Sequence, residues 1–160
     1  MYMKNIEIIG TGKYIPKREI TNEALATELG VTTSYIFQRT GIKTRFFVDK
    51  ETIEDMAILA VKDAIERSDL AAADIEMIIV ATTSSSHCMP GISYLIQKAF
   101  NISNAICFDI YAGCSSYINA MDIARNYIAI GKVQNALIVG VDLLSNISKD
   151  LGTKIILADG

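Results

Sequence analysis

Histidine, proline and cysteine are scarce in this 160-residue chain: one, two and three residues respectively. One histidine, His87, and no C-x-x-C pair leave no common zinc motif. An odd number of cysteines does not form a closed disulfide framework, and the opening MYMKNIEIIG reads as a strand rather than a secretory signal. A reducing, cytoplasmic setting is therefore expected. No apolar run approaches the about 20 residues that cross a bilayer, so no membrane helix is expected. No basic stripe exists, and the net charge of −3 with a pI near 5.1 gives nucleic acid nothing to hold. Internal repeats, low-complexity tracts and linkers are also missing, so residues 1–160 read as one continuous unit. Gly10-Thr11-Gly12 lacks the third glycine of a dinucleotide fingerprint, Ile15 standing there with Pro16 next, and no Walker A pattern occurs. It reads as a tight turn, and no cofactor or metal is expected.

What is abundant is apolar side chain: 51% of residues, with mean hydropathy +0.31. That is high for an isolated small domain, and predicts either helices buried on most sides or apolar surface meant for a partner. IEIIG at 6–10 predicts a strand. Thr21 predicts an N-cap for a short helix stopped by Gly30, and Thr32 or Thr33 a second, stopped by Gly41. IKTRFF suits a short strand. Residues 52–67 have apolar positions at i, i+3, i+4, i+7 spacing, a capping-box pattern at Thr52 and Asp55, and Arg67 in the last turn. The uninterrupted IEMIIVATT at 75–83 predicts a central strand covered on both faces. A helix from about Gly91, a buried strand at 104–110, a long helix at 114–130 and a strand in NALIVGVD follow. The apolar positions of 114–130 spread around its circumference and predict burial between layers. TKIILADG begins another strand and breaks off in mid-architecture, as the first part of a longer protein would. Strands alternating with helices predict an α/β fold with a mainly parallel sheet.

Among the cysteines, Cys107 lies inside a strand and reads as a small core hydrophobe, while Cys88 suits a loop with nothing to activate it. Cys114, in FDIYAGCSSY, follows a strand and precedes a helix. There the backbone dipole and free N–H groups favour a thiolate, and Ala112, Gly113, Ser115 and Ser116 leave room for a carbonyl and its oxyanion. Burial is equally common for a free cysteine, so these residues alone leave nucleophile and packing thiol both open.

Taken in order, IEIIGTGKYIPKREITNEALA, QRTGIKTRFF, IVATTSSSHCMP, FDIYAGCSSY, ALIVGVDLLS and GTKIILADG resemble β-ketoacyl-acyl-carrier-protein synthase III, a condensing enzyme of the thiolase superfamily, over its N-terminal half. The resemblance implies an αβαβα layered fold of two similar halves, of which residues 1–160 form the first, and a homodimer in fatty acid biosynthesis. It implies that Cys114 accepts an acyl group from acyl-coenzyme A, a substrate rather than a cofactor, for decarboxylative condensation with malonyl-acyl-carrier protein. A histidine and an asparagine of the second half would assist, so the 160 residues alone would not condense. Arg39 falls where an arginine approaches the coenzyme A phosphates, Tyr35 where a tryptophan commonly stacks on adenine, and Met89 where a residue reaches across the dimer into the partner's acyl pocket. His87 then reads as structural. Ser116 stands where a glycine is common, before the aromatic position that Tyr117 fills, Leu151 stands for an arginine and Val31 for a polar residue. These departures point toward a divergent acyltransferase of secondary metabolism. A catalytically inactive, self-associating module is the alternative from another class. Arg39 as a solvated charge, Tyr35 as packing and Met89 as core are the plainer readings.

Overall fold

The computed structural model describes residues 6–148 and 150–160. In chain order it contains β1 (Arg18–Thr21), α1 (Asn22–Leu29), α2 (Thr33–Thr40), β2 (Thr44–Phe47), α3 (Ile53–Glu66), β3 (Met77–Ala81), α4 (Ile92–Ala99), β4 (Ile106–Ile110), α5 (Ser116–Ala129), β5 (Leu137–Gly140) and α6 (Leu151–Lys154). These fall into two compact units. One joins the described residues up to Tyr14 to Ile53–Asp142; the other joins Ile15–Thr52 to Leu143–Gly160.

The first unit is built on a three-stranded parallel sheet in the order β4-β3-β5. Every residue of β3 is buried, as its uninterrupted apolar run predicts. Alternation along the strand sends Met77 and Ile79 to one face, where they meet Ala120 and Ala124 of α5. Ile78 and Val80, both fully buried, point to the opposite face; α4 packs on β3 and α3 on α4 and β5, and Ile92, Ile96, Met56 and Val61 of these helices are buried. Burying one such side chain contributes roughly 1.5–3 kcal/mol. At Gly140, the last residue of β5, α5 comes close: a Cβ there would lie 3.0 Å from the Tyr117 ring.

The second unit pairs β1 with β2 in antiparallel register, Arg18 opposite Phe47 and Thr21 opposite Thr44. Thr21 accepts a hydrogen bond from the Ala24 amide, and α1 ends at Gly30 with φ 67°. Thr32 caps α2 through the Tyr35 amide, and Gly41 ends it with φ 69°. Both helices are thus bounded where the cap residues predict. Leu25, Ala26, Ile36 and Ile155 form the small core. Arg45 is buried, donating to Asn22 Oδ1 and the Ile155 carbonyl at 3.2 Å each, and burial holds its pKa below the ordinary arginine value.

Several expectations are corrected. Residues 6–10 form no strand, and Ile6, Ile8 and Ile9 are exposed; a strand needs a ladder partner, which the described residues do not provide. Gly12 instead packs against α3, where a Cβ would meet the Ala64 amide and lie 2.6 Å from the Ala60 carbonyl. TKIILADG, at 153–160, forms no strand: Thr153 and Lys154 close the short helix that Asp150 caps through the Thr153 amide at 3.0 Å, and among the described residues only Asp159 of this stretch makes an isolated bridge, to Leu143. Arg67 lies just past α3 and bonds Asp63 at 2.8 Å. REIT, at 18–21, is a strand that its single large apolar residue does not announce. In α5, Ser116, Ala120 and Ala124 are buried, yet Ile118 is 66% exposed and Ile130, just past its end, is 63% exposed, so among the described residues one face of the helix stays open.

Candidate active site

In a parallel sheet all strands end on the same edge, and that carboxyl edge is where α/β folds collect their working residues. Three segments leave it here. After β5 comes Asp142, after β3 the polar run Thr82 to His87, and after β4 the turn that carries Cys114. The carboxylate of Asp142 gathers the first two. Its Oδ1 accepts from the Thr83 amide at 2.7 Å and from the hydroxyls of Thr82, Thr83 and Ser84 at 3.3, 2.9 and 2.8 Å. One charged acceptor thereby fixes the start of the loop that leads to Met89.

Cys114 sits in a single 3-10 turn, Gly113–Ser115, which runs into α5. Gly113 has φ 60°, so the chain turns sharply after β4 at the residue without a Cβ. The thiol is exposed, unlike Cys107, which is buried in β4. Burial, and then the nearby Asp109 charge, pushes the Cys107 thiol above its ordinary value, in keeping with a core role.

Met89 is 87% exposed and lies just before α4, next to the cis Met89–Pro90 bond. It is neither core nor packing within this chain. Asp109 of β4 accepts from the amides of Ile92 and Ser93 at 2.7 and 3.0 Å, capping α4 from a neighbouring strand. A Cβ on Gly91 would sit 2.9 Å from that carboxylate, so the close approach requires glycine. Asp109 therefore ties the strand that delivers Cys114 to the segment that carries Met89. The acid in the otherwise apolar FDI, and that in GVD, were the available signals for these two positioning carboxylates, but neither spacing nor periodicity named their targets. His87 faces Glu54 of α3 at 3.9 Å and Ser86 Oγ at 3.1 Å.

The second unit holds Tyr35 and Arg39 one turn apart on α2. The guanidinium carbon of Arg39 stands 3.8 Å from the centre of the Tyr35 ring, a cation–π pair worth about 0.5–1 kcal/mol when exposed. Phe37 beside them is 46% exposed. Val31 packs against the core of α1 and α2, and Leu151 opens α6 half-exposed. Among the described residues no group of three or more histidine, cysteine or acidic side chains is arranged to hold a metal, and no helix is long and apolar enough to cross a membrane. An apolar groove of about 540 Å³ lies between residues 6–12, α3, α5 and β5 and does not include Cys114.

Comparison with known proteins bears on both sequence and fold. The family profile of 3-oxoacyl-acyl-carrier-protein synthase III matches residues 108–160. A β-ketoacyl-acyl-carrier-protein synthase III of Clostridium acetobutylicum is 38% identical over 160 residues, 99% of this chain and 49% of that protein. A crystal structure of 3-oxoacyl-acyl-carrier-protein synthase III from Aquifex aeolicus superposes with a TM-score of 0.91 at 36% identity, over 95% of this chain and 50% of the other. A priming β-ketosynthase of a polyketide pathway gives a TM-score of 0.92 at 28% identity, over 96% of this chain and 47% of the other. The chain thus spans about half the length of the relatives it matches. In sequence and in its thiolase-like α/β fold, it corresponds to the N-terminal half of β-ketoacyl-acyl-carrier-protein synthase III.

Proposed function

We propose that the chain supplies the nucleophile-bearing half of an acyltransferase of the 3-oxoacyl-acyl-carrier-protein synthase III type, with Cys114 as acyl acceptor. One observation carries this reading: the exposed Cys114 thiol on a glycine-led turn between β4 and α5, at the carboxyl edge of a parallel sheet. The Cys114 thiolate attacks the thioester carbonyl of acyl-coenzyme A. The oxyanion that forms is met by backbone N–H groups at the start of α5. The bond to the departing sulfur breaks, coenzyme A leaves as its thiolate, and an acyl-enzyme remains. Malonyl-acyl-carrier protein then loses carbon dioxide. Its enolate carbon attacks the acyl carbonyl, a carbon–carbon bond forms, and Cys114 leaves as the thiolate it began as. The histidine and asparagine that the resemblance assigns to decarboxylation lie outside these 160 residues, so the chain alone completes only the first half-reaction.

In the same reading Arg39 meets the coenzyme A phosphates, where guanidinium bonds to phosphate are strong. Tyr35 offers its ring to the adenine, and Met89 lines the acyl pocket of a second copy in a homodimer. Val31 in the α1–α2 core and Leu151 at the start of α6 support a divergent donor site, as in an acyltransferase of secondary metabolism.

Incubation with acetyl-coenzyme A followed by intact-mass measurement tests the proposal. An acetyl adduct is expected on the parent and none on Cys114→Ser. Arg39→Ala is expected to raise the half-saturating donor concentration about tenfold, the cost of one lost charged hydrogen bond. No adduct on the parent, or one surviving Cys114→Ser, overturns the reading. Release of a 3-oxoacyl product by the 160 residues alone refutes the half-reaction limit. A catalytically inactive module that mainly self-associates is the second reading, and the exposed Ile118 of α5 and Ile130 just beyond it favour it. A strictly monomeric chain in sedimentation counts against it.

A further inference from the structure

Ser116, the first residue of α5, is 3% exposed. A hydroxyl has one proton to give and lone pairs to receive with, and this one uses both on the turn that carries Cys114. Its Oγ accepts from the Ala112 amide at 2.7 Å and donates to the Gly113 carbonyl at 2.8 Å. The same carbonyl also accepts the backbone amide of Ser116. Ser115 adds a third tie, its hydroxyl donating to the Ala112 carbonyl at 2.8 Å. The peptide groups leading into Cys114 are therefore bound to the residues that follow it.

The turn needs such ties. Ala112, at φ −128° and ψ 32°, is neither strand nor helix, and Gly113 takes a positive φ. Glycine at position 116, the residue the resemblance leads one to expect, would leave the Ala112 amide without its acceptor in a half-buried place.

We infer that Ser116 is a positioning residue, a side-chain clamp that holds the 112–114 turn so that Cys114 faces the acyl donor. This deepens the proposed function and rests on Cys114 being the acyl acceptor. The clamp itself is measurable without any donor. In Ser116→Ala, hydrogen exchange at the Ala112 amide is expected to be about tenfold faster, the worth of one hydrogen bond. The rate of acetyl transfer to Cys114 at saturating acetyl-coenzyme A is expected to fall about tenfold at an unchanged half-saturating concentration, the mark of lost positioning rather than lost binding. Ser116→Thr, which keeps the hydroxyl, is expected to retain both. Iodoacetamide labelling of Cys107 in native buffer reports loss of fold. If Ser116→Ala exposes Cys107, Ser116→Gly carries the same readouts, and exposure of Cys107 in both variants overturns the positioning role in favour of a purely structural one. Unchanged Ala112 exchange, or transfer at the parental rate, also overturns it. If the parent takes no acetyl group, the Cys114 reading fails by itself and Ala112 exchange still decides whether the clamp exists.

Discussion

Cys107 and Cys114 lie seven positions apart in the sequence, and their surroundings are opposite. Burial, and then the charge of Asp109, raises the Cys107 thiol above the ordinary value of 9.0. A folded value above the unfolded one means the folded state favours the neutral thiol. That contribution is fully present below about pH 9 and is lost as pH rises through the folded value. The urea midpoint is therefore expected to decline above pH 9, and to decline less steeply in Cys107→Ala; equal slopes in the two proteins would refute the assignment. Both placements were foreshadowed, Cys107 within an apolar strand and Cys114 at the strand-to-helix turn. The hydroxyls of Ser115 and Ser116 were legible only as small neighbours, because what they bond depends on how the turn closes.

At the scale of elements, helix boundaries follow local chemistry. Thr21 and Gly30, like Thr32 and Gly41, act within one turn of themselves, so their pattern is complete in the sequence. Strands depend on partners elsewhere, which is why residues 6–10 look like a strand and are not one, while REIT is a strand without looking like one. Gly12 shows the difference in kind between glycines. Its Cβ would collide with the backbone of α3, so Gly12→Ala is expected to cost about 3 kcal/mol. Gly30 meets nothing within 4 Å and only its positive φ resists, so Gly30→Ala should cost about 1 kcal/mol. Urea titrations of both variants check this, and equal costs would remove the packing argument for Gly12.

Taken whole, the molecule exposes more large apolar side chains than isolated surface residues require. Tyr117, Ile118 and Met121 of α5 are exposed together, with Ile130 just beyond the helix and Ile8 elsewhere in the same unit. Even apolar spacing around α5 predicted burial on all sides, and the described residues cover only one face. Native protein is accordingly expected to bind an apolar dye such as anilinonaphthalene sulfonate. Ile118→Asp should reduce that binding while shifting stability by no more than about 0.5 kcal/mol, as surface substitutions do. Absence of dye binding by the parent, or a large stability loss in the variant, would show that this face is already covered.

The sequence by itself determined the capped helices, the fully buried central strand, the parallel α/β order and the position of Cys114 between strand and helix. Each of these is written in neighbouring residues, through cap chemistry, periodicity or an unbroken apolar run. Only the tertiary structure decided that Asp142 gathers Thr82, Thr83 and Ser84, that Asp109 caps α4, that Gly12 must yield to α3 and that Arg45 reaches the Ile155 carbonyl. Those contacts join residues far apart in the chain. No local pattern encodes them, because the cost of burying a charge or a backbone amide is met wherever folding happens to bring a partner.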